Sequence, residues 1–270
     1  MKHSAAGDAG SAQKEKAQRG VQSAEVGGRL LHALARSREP LALTELAESA
    51  ELAPAQAHTY LVSLTRLGLI KRDELSGRYE PGPLSLRLGL LHLEHQPVYR
   101  AAIPHAAALA EAIGHTVAIC IAGPQGPTIV RYERSGFPLH VNLHVGTVMS
   151  LTKTATGRVF CAFLPAERVQ AMWATQAKRA RDAFASADEQ RAFEATLGEI
   201  RRRGIERAVD APSPGISSLS VPVFDANSEL GAALTAIGSS GAIDVGFDGA
   251  IARALRSASA AIGRELASPS

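Results

Sequence analysis

The spacing of apolar residues in the first third of the chain is typical of short amphipathic helices. Apolar side chains recur three and four residues apart over Val26–Leu34, and the pattern breaks at Glu39–Pro40. A second helix is predicted over residues 44–50, and a third from Pro54, which suits a first helical turn, to near Gly68. Because only three residues separate these two helices, they are predicted to form a helix-turn-helix.

A predicted β-hairpin follows the third helix. Strand-like patterns cover residues 69–73 and 78–80, and the turn between them contains Gly77, which tolerates a positive φ. A hairpin in this position is a wing. After a Pro-Gly-Pro break at residues 81–83, residues 84–93 are predicted to form a helix that leads into a second domain.

Helical and strand-like patterns alternate through the rest of the chain. The clearest strand pattern, over residues 139–145, alternates Leu and Val with His and Asn. The predicted helices cover residues 102–113, 154–164, 166–175, 188–202 and 247–266, and the predicted strands cover 116–122, 128–133, 139–145, 217–223 and 231–238. Interleaved elements with short connections indicate one α/β domain of roughly 180 residues.

These patterns divide the chain into four parts. Residues 1–20 are mostly small and polar, and they are predicted to be a disordered tail. We expect a winged-helix domain over residues 21–83, a linker helix over residues 84–100 and a second domain over residues 101–268. Since 46% of the 270 residues are hydrophobic, the chain can bury a sizeable core.

The cysteine count and the apolar runs bear on the compartment. Two cysteines are too few for a disulfide framework, which favours a reducing environment. The N-terminus lacks the apolar core of a signal peptide, and no run approaches the ~18 apolar residues of a membrane span. We therefore expect a cytoplasmic protein with no membrane partner.

The charge balance permits a polyanionic partner without requiring one. The formal net charge is +3, but residues 21–82 hold seven Lys or Arg against eight Asp or Glu. Attraction to a polyanion by this segment therefore depends on where its charges lie.

The third predicted helix carries side chains suited to reading a DNA major groove. Its outward face lies opposite an apolar stripe at Ala57, Leu61 and Leu64. Gln bonds adenine bidentately, Thr offers a hydroxyl and a methyl group, and Arg holds phosphate. The candidate DNA-binding residues, including cations of the wing, are Thr44, Ala55, Gln56, His58, Thr59, Ser63, Arg66, Lys71, Arg72 and Arg78.

A solvated helix face with a charged hairpin, or a winged helix used for protein contacts, would produce a similar pattern. The turn spacing, Pro54 and the adjacent wing together favour double-stranded DNA. Because one helix reads only a few base pairs, we expect a dimer, joined through the first helix and the helix over residues 84–93.

Several motifs resemble those of one family, the IclR-type bacterial transcriptional regulators. The resemblance covers residues 21–266 in the family's order, with a winged helix over 21–82. Its motifs include Leu-Thr-Glu-Leu-Ala at 43–47, Ala-His-Thr-Tyr-Leu at 57–61, Gly-Arg-Tyr-Glu-Pro-Gly at 77–82, His-Val-Gly at 144–146, Thr-Ala-Thr-Gly-Arg at 154–158, Arg-Gly-Ile at 203–205, Pro-Gly-Ile at 214–216 and Val-Pro-Val-Phe-Asp at 221–225.

The resemblance implies an α+β protein: a winged helix-turn-helix followed by a GAF-like α/β effector-binding domain with an antiparallel sheet. It also implies a dimer or a dimer of dimers, and a small ligand held by Thr156, Gly157, Asp210, Ser218 and Thr235. A helix N-terminus at Thr156 and Gly157, with Lys153 adjacent, would suit a carboxylate. The expected apolar lining is Leu151, Ile216, Leu219 and Ile237, although the hydroxyl groups would equally serve to satisfy nearby backbone.

Departures from the family pattern limit what the resemblance implies. Pro54-Ala55-Gln56 stands where Lys-Ser-Thr is usual and Thr59 where Arg is expected, so an operator sequence does not transfer. Ser218 replaces a frequent Cys, and Ile237 replaces a frequent Ser. We therefore expect regulation of a catabolic operon, as repressor or activator, by a small organic acid that is aromatic or otherwise partly apolar.

Two other classes of protein remain as alternatives. An enzyme is not expected, because the chain lacks a Gly-x-Ser-x-Gly elbow and nucleotide-binding glycine motifs, and Cys120 and Cys161 resemble buried small hydrophobes. A metal-responsive sensor would use His140 with His144, or His92 with His95, but no cysteine joins either pair. No cofactor is expected.

Overall fold

The computed structural model describes residues 20–134, 143–177, 184 and 186–268. The chain divides into two compact units between Leu91 and His92. The predicted tail, apart from Gly20, lies outside the described residues.

The first unit is a small helical core with a two-stranded wing. The predicted helices and hairpin are confirmed, because each apolar stripe finds a buried partner surface. Their bounds are α1 Gln22–Arg36, α2 Leu43–Ser49, α3 Pro54–Arg66, β1 Ile70–Arg72 and β2 Tyr79–Pro81, and α4 follows at Pro83–Glu94.

The wing is fixed to this core from two directions. Ile70 and Tyr79 are buried with the helix residues Leu30, Leu46 and Leu61. In addition, the segment before α2 pairs with β2: the amide of Leu41 donates to the carbonyl of Tyr79 at 2.9 Å, and the reverse bond is 2.8 Å. The wing is therefore held in place relative to α3.

The second unit contains a five-stranded antiparallel sheet in the order β4-β3-β7-β6-β5. This confirms the predicted fold class. The bounds are α5 Pro97–Ile113, β3 Thr116–Gly123, β4 Gly126–Glu133, α6 Ala155–Phe163, α7 Ala166–Ala177, α8 Ala187–Arg203, β5 Glu206–Ala208, β6 Ile216–Phe224, β7 Leu230–Ser239 and α9 Ala250–Ala267.

Helices cover both faces of the sheet and form two cores. Helices α5 and α9 pack on one face, against side chains such as Val117, Leu219 and Leu234. Helix α6 packs on the other face against Ala118 and Ile237, with residues of α7 and α8 in the same core. Neighbouring positions along a strand thus belong to different cores.

Three sequence predictions differ from the structure. Helix α5 begins at Pro97 rather than near residue 102, because Pro97 is accommodated at the first helical position. Strand β5 was not predicted, since three residues are too few to show an alternation. Of the predicted strand 139–145, residues 139–142 lie outside the described residues, and residues 143–145 are not in a strand.

Within the described part of the chain, no helix has the length and apolar character needed to cross a membrane.

Candidate functional site

Helix α3 exposes the face that the sequence assigned to DNA. Ala57, Leu61 and Leu64 are buried, as predicted from their spacing. The hydroxyl of Thr59 donates to the carbonyl of Ala55 at 3.2 Å, which leaves its oxygen lone pairs and methyl group outward. The exposed candidates on this helix are Ala55, Gln56, His58, Thr59, Ser63 and Arg66.

The basic side chains of the wing have partners inside the unit. Lys71 forms an ion pair with Glu80 at 2.8 Å, and hydrogen bonding to Glu80 raises the pKa of Lys71. Arg72 donates to the carbonyl of Gly77 at 3.0 Å. These contacts fix both cations on the exposed surface of the hairpin.

Arg78 and Arg66 differ in what they contact. The Arg78 guanidinium donates to the carbonyl of Pro40 at 2.9 Å and to Glu45 at 3.0 Å, so it connects the wing to α2. Glu45 also accepts the amide of Ala42 at 2.6 Å, and exposed Thr44 lies beside it. For Arg66, no side-chain hydrogen bond or ion pair occurs among the described residues. Sequence reasoning did not foresee this difference.

In the second unit, α6 begins at a tightly packed corner. Thr154 caps the helix: its hydroxyl accepts the amide of Gly157 at 2.9 Å and donates to the carbonyl of Ser150 at 2.7 Å. A side chain at Gly157 would overlap the Ser150 carbonyl oxygen and the Leu151 backbone. Gly157 therefore allows the close approach of this segment, and its own amide is already satisfied.

Two other amides at this helix start remain without partners. Among the described residues, the amides of Ala155 and Thr156 make no hydrogen bond, and both residues are fully buried. Because a helix N-terminus carries partial positive charge, these amides are suited to an anionic oxygen.

Three hydroxyl groups lie beside the helix start on the same face of the sheet. The hydroxyls of Thr156 and Thr235 are 2.8 Å apart, and that of Thr235 donates to Ser220 at 2.9 Å. The sequence did not single out Ser220, although it lies two positions after Ser218 on β6 and therefore on the same face.

The structure brings together most of the candidate effector residues and separates three. Leu151 and Ile237 belong to the α6 core, with Ile216 packed against it, and Ser218 lies on the same side of β6. Leu219 points to the α5 and α9 core instead. Lys153 is exposed.

Asp210 belongs to a different cluster. Its carboxylate accepts the amide of Gly215 at 3.0 Å and the hydroxyl of Ser240 at 2.7 Å. Ser240 is in turn 2.8 Å from Ser217, which lies on the same side of β6 as Leu219. The carboxylate of Asp210 is thus occupied by contacts that stabilise a turn.

Both cysteines are buried, as predicted. Burial raises the pKa of the Cys120 thiol to about 12, so this thiol stays protonated at neutral pH. Among the described residues, no three His, Cys, Asp or Glu side chains lie close enough to hold a metal ion, and His140 lies outside the described residues.

Models of two protein-family domains match most of the chain. Residues 23–74 match the IclR helix-turn-helix domain, and residues 91–264 match the C-terminal domain of bacterial transcriptional regulators of the IclR type.

Individual relatives agree with these matches. The chain is 30% identical to the glycerol operon regulatory protein of Streptomyces griseus, over 92% of this chain and 97% of that protein. The crystal structure of Pseudomonas aeruginosa HmgR is 31% identical, with a TM-score of 0.58 over 92% of this chain and 98% of that one. An IclR homologue from Microbacterium hydrocarbonoxydans, crystallised with 4-hydroxybenzoate, shares the fold. It is 14% identical, and the two structures align with a TM-score of 0.72 over 90% of this chain and 98% of that one.

Proposed function

The chain belongs to the IclR family of bacterial transcriptional regulators, and from this premise we propose that it controls a catabolic operon in response to a small organic acid. It is a ligand-responsive DNA-binding regulator that acts in the cytoplasm and is not an enzyme. The observation that carries the DNA-binding part is helix α3, whose apolar face is buried while its polar face is exposed beside a fixed wing.

The proposed operator contacts divide by chemistry. Gln56 and Thr59 on the exposed face of α3 would read base edges, and Arg66 would hold phosphate. The wing cations Lys71 and Arg72 are already held by neighbouring residues, so they would approach the DNA backbone without much loss of side-chain freedom.

The proposed effector site is the start of α6 and the facing strands. The amides of Ala155 and Thr156 would receive a carboxylate, and the hydroxyls of Thr235 and Ser220 would accept or donate hydrogen bonds. Apolar side chains in the same core would contact the rest of the acid.

The proposed assembly is a homodimer or a dimer of dimers. Leucines project from several sides of α4, and Leu86, Leu88 and Leu90 are each more than half exposed. A helix that is apolar all round is normally buried. A second copy of the chain would cover these leucines and place two recognition helices on one operator.

DNA footprinting and calorimetry test this function. The wild-type protein is expected to protect its own upstream intergenic region, and one member of a panel of organic acids is expected to change that protection. The panel would include 4-hydroxybenzoate, short keto acids and, as a neutral arm, glycerol. A folded sample that ignores this DNA at low salt, with and without every compound, would contradict the proposal. Binding of glycerol and of none of the acids would contradict the proposal that the effector is an organic acid.

A further inference from the structure

A buried glutamine on α7 joins three separate backbone segments. Gln176 is only 7% exposed. Its amide nitrogen donates to the carbonyl of Gln125 at 2.8 Å and to the carbonyl of Met149 at 3.0 Å. Its amide oxygen accepts the amide of Leu151 at 3.2 Å. One side chain therefore connects α7 to the turn between β3 and β4 and to the segment before α6.

This arrangement admits only one orientation of the side-chain amide. Turning the amide over would place its oxygen against the carbonyl oxygens of Gln125 and Met149, which is repulsive. The neighbouring turn is also shaped around it: Gly126 has a φ of 133°, and a side chain there would overlap the Gln176 amide nitrogen. The three hydrogen bonds therefore require a glutamine amide in this orientation, and the glycine at position 126 leaves the space that the amide nitrogen occupies.

The backbone that Gln176 holds leads directly to the start of α6. Met149 and Leu151 flank Ser150, whose carbonyl accepts the Thr154 hydroxyl and packs against Gly157. A shift of the 149–151 backbone would therefore move the Thr154 cap and the first turn of α6.

We infer that Gln176 is a positioning residue of the effector site, an inference that rests on the proposed function. Its hydrogen-bond partners among the described residues are Gln125, Met149 and Leu151, and do not include Ala155 or Thr156. It acts through the backbone of residues 149–151, which fixes where the two free amides at the helix start lie. Through the same contacts, a ligand that displaces the start of α6 would also displace α7.

Hydrogen exchange on the full-length protein tests this inference without a ligand. Gln176→Glu keeps the shape of the side chain but removes both donated hydrogen bonds. We expect the amides of residues 147–152 to exchange at least tenfold faster in this variant, and the hydrogen-bonded amides of Gly157 and Arg158 in the first turn of α6 at least fivefold faster. Gln170→Glu, an exposed glutamine on the same helix, is the matched control and should stay within twofold of wild type.

The residues at which exchange becomes faster distinguish a positioning role of Gln176 from a purely local contact. If faster exchange is confined to residues 147–152 and the first turn of α6 keeps its wild-type rate, the inference is overturned. Unchanged exchange at both segments also overturns it. If Gln176→Glu does not fold, Gln176→Met retains the length of the side chain without its hydrogen bonds. The exchange rates of residues 147–152 and of the first turn of α6 in that variant then test the inference in the same way.

The same variants distinguish this inference from the proposed function. Wild-type protein that binds neither its upstream DNA nor any acid contradicts the function, while the exchange rates still decide the role of Gln176. For an acid that wild type does bind, Gln176→Glu should weaken the affinity at least fivefold, whereas Gln170→Glu should leave it within twofold. Equal acid affinity would contradict a positioning role.

Discussion

Individual arginines in the first unit differ in what their guanidinium groups contact. Arg78 is hydrogen-bonded to Pro40 and Glu45, so it stabilises the wing whatever it does toward DNA. Arg66 projects from the exposed end of α3 with no such contact among the described residues. The two residues therefore allow binding and folding to be separated.

We expect Arg66→Ala to weaken binding to all DNA sequences and to reduce the salt dependence by about one phosphate contact. Its free energy of unfolding should match wild type. Arg78→Ala should instead lower the free energy of unfolding by about 0.5–1 kcal/mol, because its partners are half exposed. Anisotropy titrations at several salt concentrations measure the salt dependence of DNA binding, and urea unfolding measures the free energy of unfolding. A wild-type salt slope in Arg66→Ala would refute its phosphate contact.

Two helical glycines in the second unit differ in what surrounds them. Gly157→Ala should lower the free energy of unfolding by about 2–3 kcal/mol, because the new methyl group meets the backbone of Ser150 and Leu151. At Gly198 on α8, the Arg202 side chain is the only neighbour that a new methyl group would meet among the described residues, so Gly198→Ala should raise the free energy of unfolding by up to about 1 kcal/mol. Equal effects of the two substitutions in urea unfolding would contradict the close approach at Gly157.

The Cys120 thiol makes stability depend on alkaline pH. Burial raises the pKa of the folded thiol from its ordinary value of 9.0 to about 12, so the unfolded chain loses this proton first. The contribution of the thiol is thus fully present below pH 9 and is lost progressively as the pH rises toward 12. Unfolding curves of wild type and Cys120→Ala should converge over this range. Parallel pH profiles of the two proteins would show that the thiol pKa is not raised.

At the scale of elements, side-chain caps mark the starts of two helices of the second unit. Thr154 and Ser186 both accept an amide three residues later with a side-chain oxygen, at the starts of α6 and α8. The cap at Thr154 has an added role, because the same hydroxyl also donates to Ser150. It therefore connects the helix to the segment that precedes it.

Replacing this cap should affect α6 in a graded way. Thr154→Ala is expected to lower the free energy of unfolding by about 1 kcal/mol, whereas Thr154→Ser keeps both hydrogen bonds and should remain within about 0.5 kcal/mol of wild type. Urea unfolding followed by circular dichroism measures the difference. If Thr154→Ser lowers the free energy of unfolding as much as Thr154→Ala does, the methyl group of Thr154, rather than its hydroxyl, stabilises the start of α6.

At the scale of the whole molecule, the exposed leucines of α4 set the expected oligomeric state. Leu86 and Leu90 lie one turn apart and are 66% and 53% exposed. Replacing both with Glu should convert the proposed dimer to a monomer and abolish operator binding, because charged groups would be buried at the proposed interface. Leu75→Glu, at a residue 99% exposed in the wing turn, should leave the mass in sedimentation unchanged. A dimeric double variant would remove α4 from the proposed interface.

The local elements were predictable because their causes lie close together in the sequence. The stripe at Ala57, Leu61 and Leu64, Pro54 at a helix start and Gly77 in a turn each act over a few residues. The resemblance supplied the antiparallel sheet, which no single strand pattern specifies. Strand β5 was missed, since its three residues are defined only by pairing with β6.

What the sequence determined by itself is the set of helices and the wing. Neighbouring strand residues such as Ser218 and Leu219 lie on opposite faces of the sheet, but only the packing of α6 on one side and of α5 and α9 on the other decides which of them faces the proposed effector site. The partners of Arg78 and the three hydrogen bonds of Gln176 also belong to the tertiary structure. They join residues up to 51 positions apart in the chain, a distance over which periodicity and capping carry no information.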